Sequence, residues 1–231
     1  MSPRKPTRVA RHSLRREIAR ELRRRARDLI ESRDRCALGL TEPDLHALRL
    51  AARHLGAVLD VCDELAPDDP GLVQARAGLD ELLELTGPVR DVQLRRLAIE
   101  RAVEDAGLRT ALLRTCAREQ VGKQKSAALQ LARLDLAFVQ RLADMAWDDT
   151  APHVARNALR RAMSARRRKL RKRIAAVSPD DADGVHKVRI ALKRYGYLLR
   201  ALRRSIDSCP LNTSQATAAP AREVARCARH G

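Results

Sequence analysis

Aromatic side chains are nearly absent: Phe138, Trp147, Tyr195 and Tyr197 make up 2% of the 231 residues. That scarcity argues against the common single-strand nucleic-acid readers, which stack bases on exposed rings. β-Branched residues are also outnumbered by Leu and Ala, so a β-sandwich or barrel is excluded and helices are favoured. The five cysteines, Cys36, Cys62, Cys116, Cys209 and Cys227, are scattered, form no C-x-x-C pair and are odd in number, which fits reduced structural thiols. No run approaches the roughly 18 apolar residues of a membrane span, and the basic N-terminus leads into an amphipathic segment rather than a signal-peptide core, so a cytoplasmic location is expected. The chain also lacks a Gly-rich phosphate loop, an H-E-x-x-H helix, Cys/His metal spacing and a recognisable catalytic set of carboxylates. Binding without catalysis and without a cofactor is the expectation.

What is present in excess is positive charge. There are 47 Lys and Arg against 29 Asp and Glu, a formal net charge of +18. An anionic partner follows. Forty of the cations are Arg, whose planar fork pairs two donors with a phosphate, although an Arg-rich genome leaves the same bias. The charge is uneven: residues 4–33 hold twelve basic and four acidic residues, 60–105 five and twelve, and 153–204 seventeen and three. The two basic stretches share one surface only if the fold brings them together. With 45% hydrophobic residues the chain has material for a core.

Hydrophobic periodicity and punctuation predict an all-α chain. Helices are expected over 13–38, with Ser13 as N-cap; over 43–65, between Thr41/Pro43 and the Pro67–Gly71 turn; over 72–85, stopped by Gly87-Pro88; and over 89–106. Residues 108–146 read as one long helix or two, with Gly122 and 133–135 as candidate breaks. A basic helix follows from Pro152 to about Val177, and a last one covers 184–206. Residues 207–231 carry no apolar stripe and are expected to be mostly disordered.

One internal repeat stands out. LHALRLAARHLGAVL at 45–59 aligns without a gap with VHKVRIALKRYGYLL at 185–199, an offset of 140. His46 matches His186, Arg49 matches Arg189, Arg53 matches Lys193 and Gly56 matches Gly196. Positions i, i+3 and i+7 fall within about 60° on a helix, so each copy presents a basic column, which Arg200 extends in the second. Cations about one turn, roughly 5 Å, apart suit an extended polyanion. Val185, Val188, Leu192, Tyr195, Leu199 and Leu202 form a separate face expected to meet the core. Gly196 is expected to serve close helix packing, because a mid-helix Gly costs about 1 kcal/mol relative to Ala.

VHKVRIALKRYGY resembles the His-x-x-Arg-x-x-x-Lys-Arg-x-x-Tyr signature of the conserved histidine α-helical domain (CHAD) family. The segment at 45 resembles its first-half counterpart, and GPVRDVQL at 87–94 resembles the family's Gly-x-x-Arg-Asp helix start. The resemblance covers about 8–206, with halves at about 8–107 and 108–206. It implies two antiparallel helical bundles related by a pseudo-twofold, around a basic groove that binds inorganic polyphosphate, with polyphosphate granules as the wider setting. Carried over, the site residues are His46, Arg49, Arg53, Arg90, His186, Arg189, Lys193, Arg194 and Tyr197. His54, Gly56 and Gly196 stand where the family often has Arg. After the second motif the family continues with helices whose Leu-Gln, Gly and Asn-Asp pattern is missing here, so the chain is truncated or frameshifted relative to its relatives, or those helices are replaced. The second bundle is then incomplete at its C-terminus, leaving apolar surface exposed. The alternative reading is non-specific nucleic-acid binding by a basic helical protein, which no helix-turn-helix, RNP or zinc-finger pattern supports.

Overall fold

The computed structural model describes residues 13–144, 152–178 and 180–203, and among these it contains helices and no strand. The helices are α1 (Ser13–Leu38), α2 (Glu42–Leu65), α3 (Pro70–Ala102), α4 (Ala106–Arg133), α5 (Ala137–Asp144), α6 (Pro152–Ala176) and α7 (Ala182–Ala201). Their starts follow the sequence: the Thr41, Asp69, Asp105 and Asp181 side chains each accept a backbone N–H of the first turn, and Pro43 and Pro70 sit where a helix needs no donor. The tail expected to be disordered, 207–231, lies outside the described residues, as do Cys209, Cys227 and Trp147. Cys36, Cys62 and Cys116 are free and buried.

Three expectations about elements need correction. The break at Gly87-Pro88 is absent, and α3 runs through it as one helix with Pro88 inside. Proline removes one helix hydrogen bond and crowds the preceding turn. In the turn before the proline, the Thr86 hydroxyl donates to the Leu82 carbonyl (2.7 Å), and the Arg49 guanidinium of α2 donates to the Leu83 carbonyl (2.6 Å). Gly122 does not break α4, whereas Leu134–Leu136 does separate α4 from α5, Asp135 Oδ1 accepting the Ala137 N–H at 2.7 Å. The last helix begins at Ala182 and ends at Ala201, five residues short of the expected end, of which 204–206 lie outside the described residues.

α1 to α4 form an antiparallel bundle in which α2 touches α1 and α3, and α4 lies on α3 and α1. The expected boundary between the two halves, 107–108, falls in the first turn of α4. α6 and α7 form a hairpin against α2, with α6 also reaching α1, and one continuous core joins both parts through Leu48, Leu55 and Leu59 of α2, Leu159 of α6 and Leu198 of α7. Shifted by about 140 residues, α1 falls on α6 and α2 on α7. Counterparts of α3 and α4 would follow residue 209, outside the described residues.

A fourth expectation also needs correction among the described residues. The face of α7 expected to be core is only partly covered: Leu202 is buried, Val188, Leu192, Tyr195 and Leu199 are half-buried, and Val185 is 46% exposed. The buried residues are instead Ala191, Tyr197, Leu198, Ala201 and Leu202, on the side turned toward α2 and α6. Neither repeated glycine serves close packing. A Cβ on Gly196 would meet nothing nearer than Arg200 at 3.7 Å, and one on Gly56 nothing nearer than Leu79 at 3.8 Å. Close approach occurs at Gly78 of α3, where a Cβ would come within 2.3 Å of the Phe138 ring that seats α5.

Candidate functional site: a basic groove between the repeated helices

α2 and α7 lie side by side, and with α3 and α6 they enclose an open cavity of about 710 Å³. All nine site residues expected from the sequence line it: His46, Arg49 and Arg53 from α2, Arg90 from α3, and His186, Arg189, Lys193, Arg194 and Tyr197 from α7. Pattern places each column on one helix; packing α7 against α2 makes the two columns face one space. Eight Arg or Lys side chains line the cavity against three carboxylates, Asp60, Asp80 and Asp91.

The cations differ in what already holds them. Arg53, Arg189, Lys193 and Arg194 have no hydrogen-bond or ion-pair partner among the described residues, and the last three are exposed. Arg90 is engaged, donating to Glu42 (2.9 Å) at the start of α2 and to Gln93 (3.2 Å). Arg49 is engaged more deeply, through the Leu83 carbonyl and the Thr86 hydroxyl at 2.6 Å each. Its Nε is buried without a partner, and burial followed by repulsion from Arg53 lowers its pKa. Burial, then Arg189 and Arg53, lowers that of Lys193. For His46 the first cause is again burial, with Arg90 and Arg53 next, and the ring is held below its ordinary value. In each case burial is the first cause and the neighbouring cations add to it.

Sequence reasoning missed two features. One is the closed end of the cavity, where Asp60 of α2 binds Arg166 of α6 through both carboxylate oxygens (2.6 Å each) and Arg76 of α3 at 3.0 Å, with Asp63 also on Arg76. Spacings of 16 and 106 residues leave no local signal for it. The other is the wall behind Tyr197. His54 packs edge-on against the Tyr197 ring (centroids 5.3 Å apart), Arg200 stands over the same ring at 5.2 Å, and Arg25 of α1 approaches His54 Nδ1 at 3.3 Å. Burial, then Arg25 and Arg200, pushes the His54 pKa down to about 4. Thus Tyr197 pins α7 to α2, and Arg200, expected to extend the basic column, lies against Tyr197 instead.

No helix among the described residues is long and apolar enough to cross a membrane. Among known proteins, the family model of the CHAD domain matches residues 20–224. The crystal structure of the CHAD domain from the plant Ricinus communis superposes with a TM-score of 0.60 at 21% identity, covering 82% of this chain and 65% of that one. The chain therefore spans just under two thirds of that relative's length. No curated protein matches the chain.

Proposed function

The chain belongs to the CHAD-domain family, and from that premise we propose that it binds inorganic polyphosphate in the groove between α2 and α7, as a binder and not as an enzyme. The observation that carries this reading is the set of four cations without a hydrogen-bond or ion-pair partner among the described residues, Arg53, Arg189, Lys193 and Arg194, converging from two helices on one concave space. Successive phosphates of a flexible chain each find an Arg fork or an ammonium, and each contact releases condensed counterions. Arg90 and His46 add donors along the α2 side. Asp60 and Asp63 neutralise Arg76 and Arg166 at one end of the groove. The groove holds no aromatic surface for stacking bases beyond the buried Tyr197, which favours an anion made of phosphate alone. The proposed setting is the cytoplasm, at polyphosphate granules.

Titration with polyphosphates of increasing length, at several salt concentrations, tests this. Affinity is expected to rise with chain length and fall steeply with salt. Arg189→Glu with Lys193→Glu is expected to weaken binding by about 100-fold or more, as two charge-assisted contacts become repulsive. Equal affinity for orthophosphate and a long chain, or an unaffected double variant with its helix content intact, overturns the reading.

A further inference from the structure

α6 carries ten cationic residues and no acidic one, and the groove uses only Arg166. Its counterpart in the repeat, α1, interleaves Glu17, Glu21, Asp28, Glu31 and Asp34 with its cations and pairs Arg24, Arg25 and Arg33 with them. On α6 three Arg residues are spoken for: Arg161 on Glu64, Arg166 on Asp60 and Arg173 on the Lys187 carbonyl. Arg160, Arg168, Lys169, Arg171 and Lys172 are exposed and have no hydrogen-bond or ion-pair partner among the described residues. At about 100° per residue, Arg160, Arg168, Arg171 and Lys172 project within about 120° of one another, along roughly 18 Å of helix. Exposed Asn157 and Ser164 lie on the same face as neutral donors. Arg166 points about 160° away from Arg168, so this ridge and the groove occupy opposite sides of α6.

We propose that the outer ridge of α6 is a second polyanion site, separate from the groove, which takes the phosphate backbone of duplex nucleic acid. The shape decides between ligands. A flexible polyphosphate gains most where a concave wall surrounds it, whereas a convex helix about 10–12 Å across fits a major groove about 12 Å wide, with cations reaching both flanking backbones. The contacts are to phosphate, so they carry no sequence preference. A membrane surface is disfavoured because the apolar side of α6, Ala155, Ala158, Leu159 and Ala162, is already buried in the core, which leaves Ile174 as the one large apolar side chain exposed on the described α6, too little for insertion. With both sites filled, the protein tethers a polyphosphate chain to nucleic acid.

The experiment measures the full chain against a labelled 25-base-pair duplex by fluorescence anisotropy at several salt concentrations, with long-chain polyphosphate in parallel. Arg168→Ser, Arg171→Ser and Lys172→Ser, combined on a fully exposed face, are expected to weaken duplex binding at least about 10-fold and to flatten its log-log salt slope by about 2–3. Polyphosphate affinity is expected to change less than about 3-fold. Arg189→Glu with Lys193→Glu is expected to do the reverse, and saturating polyphosphate is expected to leave the duplex bound. Equal loss of duplex binding in both variants, full displacement by polyphosphate, tighter binding to anionic-lipid vesicles than to the duplex, or no duplex binding by the unmodified chain overturns the proposal. Failure to bind polyphosphate, with ridge-dependent duplex binding retained, removes the groove reading and leaves this one standing.

Discussion

α2 lies among α1, α3, α6 and α7, whereas its repeat α7 is flanked chiefly by α2 and α6. The same His, Arg and Arg-or-Lys spacing therefore ends in two surroundings. On α7, Arg189 and Lys193 reach the groove exposed and without hydrogen-bond or ion-pair partners among the described residues. On α2, Arg49 is drawn into the structure, where its guanidinium holds the backbone of the turn before Pro88. His46 of α2 also sits beside Arg90 and Arg53, and burial followed by those two cations lowers its pKa. A repeated motif passes on a direction along the helix. What packs around each copy decides whether a side chain binds a ligand or its own backbone.

The sharpest break of this comparison is in stability. Arg49→Ala removes the donors to Leu83 and Thr86 from a half-buried site and is expected to cost about 2–3 kcal/mol in urea unfolding, whereas Arg189→Ala stays within about 0.5 kcal/mol of the unmodified chain. Equal costs for the two would mean that the column residues are interchangeable after all. Their effects on polyphosphate are expected to be ordered the other way, with Arg189→Ala reducing the salt slope and Arg49→Ala leaving it unchanged once the fold is intact.

A smaller effect comes from the wall that joins the two helices. His54 binds a proton less readily when folded, near 4, than when unfolded, near the ordinary 6.5, so folding stability is full above pH 6.5 and declines as pH falls from there toward 4. The part-buried ring keeps the loss to about 2 kcal/mol, expected in unfolding midpoints compared between pH 7.5 and 4.5. His54→Asn is expected to flatten that dependence, and an unchanged slope in the variant would assign the acid sensitivity elsewhere.

The smallest effect concerns the groove histidines. A bound polyanion raises the pKa of a neighbouring imidazole, so binding takes up protons and affinity is expected to increase a few-fold as pH falls from 8 to 6. Burial, then Arg90 and Arg53, lowers the pKa of His46, and a bound anion opposes that shift. His46→Gln is therefore expected to weaken the dependence, and His46→Gln with His186→Gln to abolish it. The same dependence in a variant with both substitutions would place the titrating group outside the groove.

The helices were legible because the sequence repeats its own physics at short range: apolar spacing near 3.6, Asp or Thr capping the starts of α2, α3, α4 and α7, and charge gathered on one side. The 140-residue offset made the two columns legible as well. Pro88 was misread because the stop rule is local, whereas the 33-residue helix α3 continues through the proline, with Arg49 of α2 held on the turn before it. The core face of α7 was misread because a heptad-like stripe shows which side is apolar and not how deeply it is buried among the described residues. By itself, then, the sequence determined the all-helical class, the family and the identity of every cation that lines the α7 side of the groove, since each follows from neighbours within two turns. Only the tertiary structure decided that Arg49 braces α3, that His54 stays neutral behind Tyr197, that Asp60 draws Arg76 and Arg166 into one cluster, and that α6 turns its unpaired cations away from the groove. Those outcomes depend on which groups meet across long chain separations and how much water remains between them, and no local pattern encodes either.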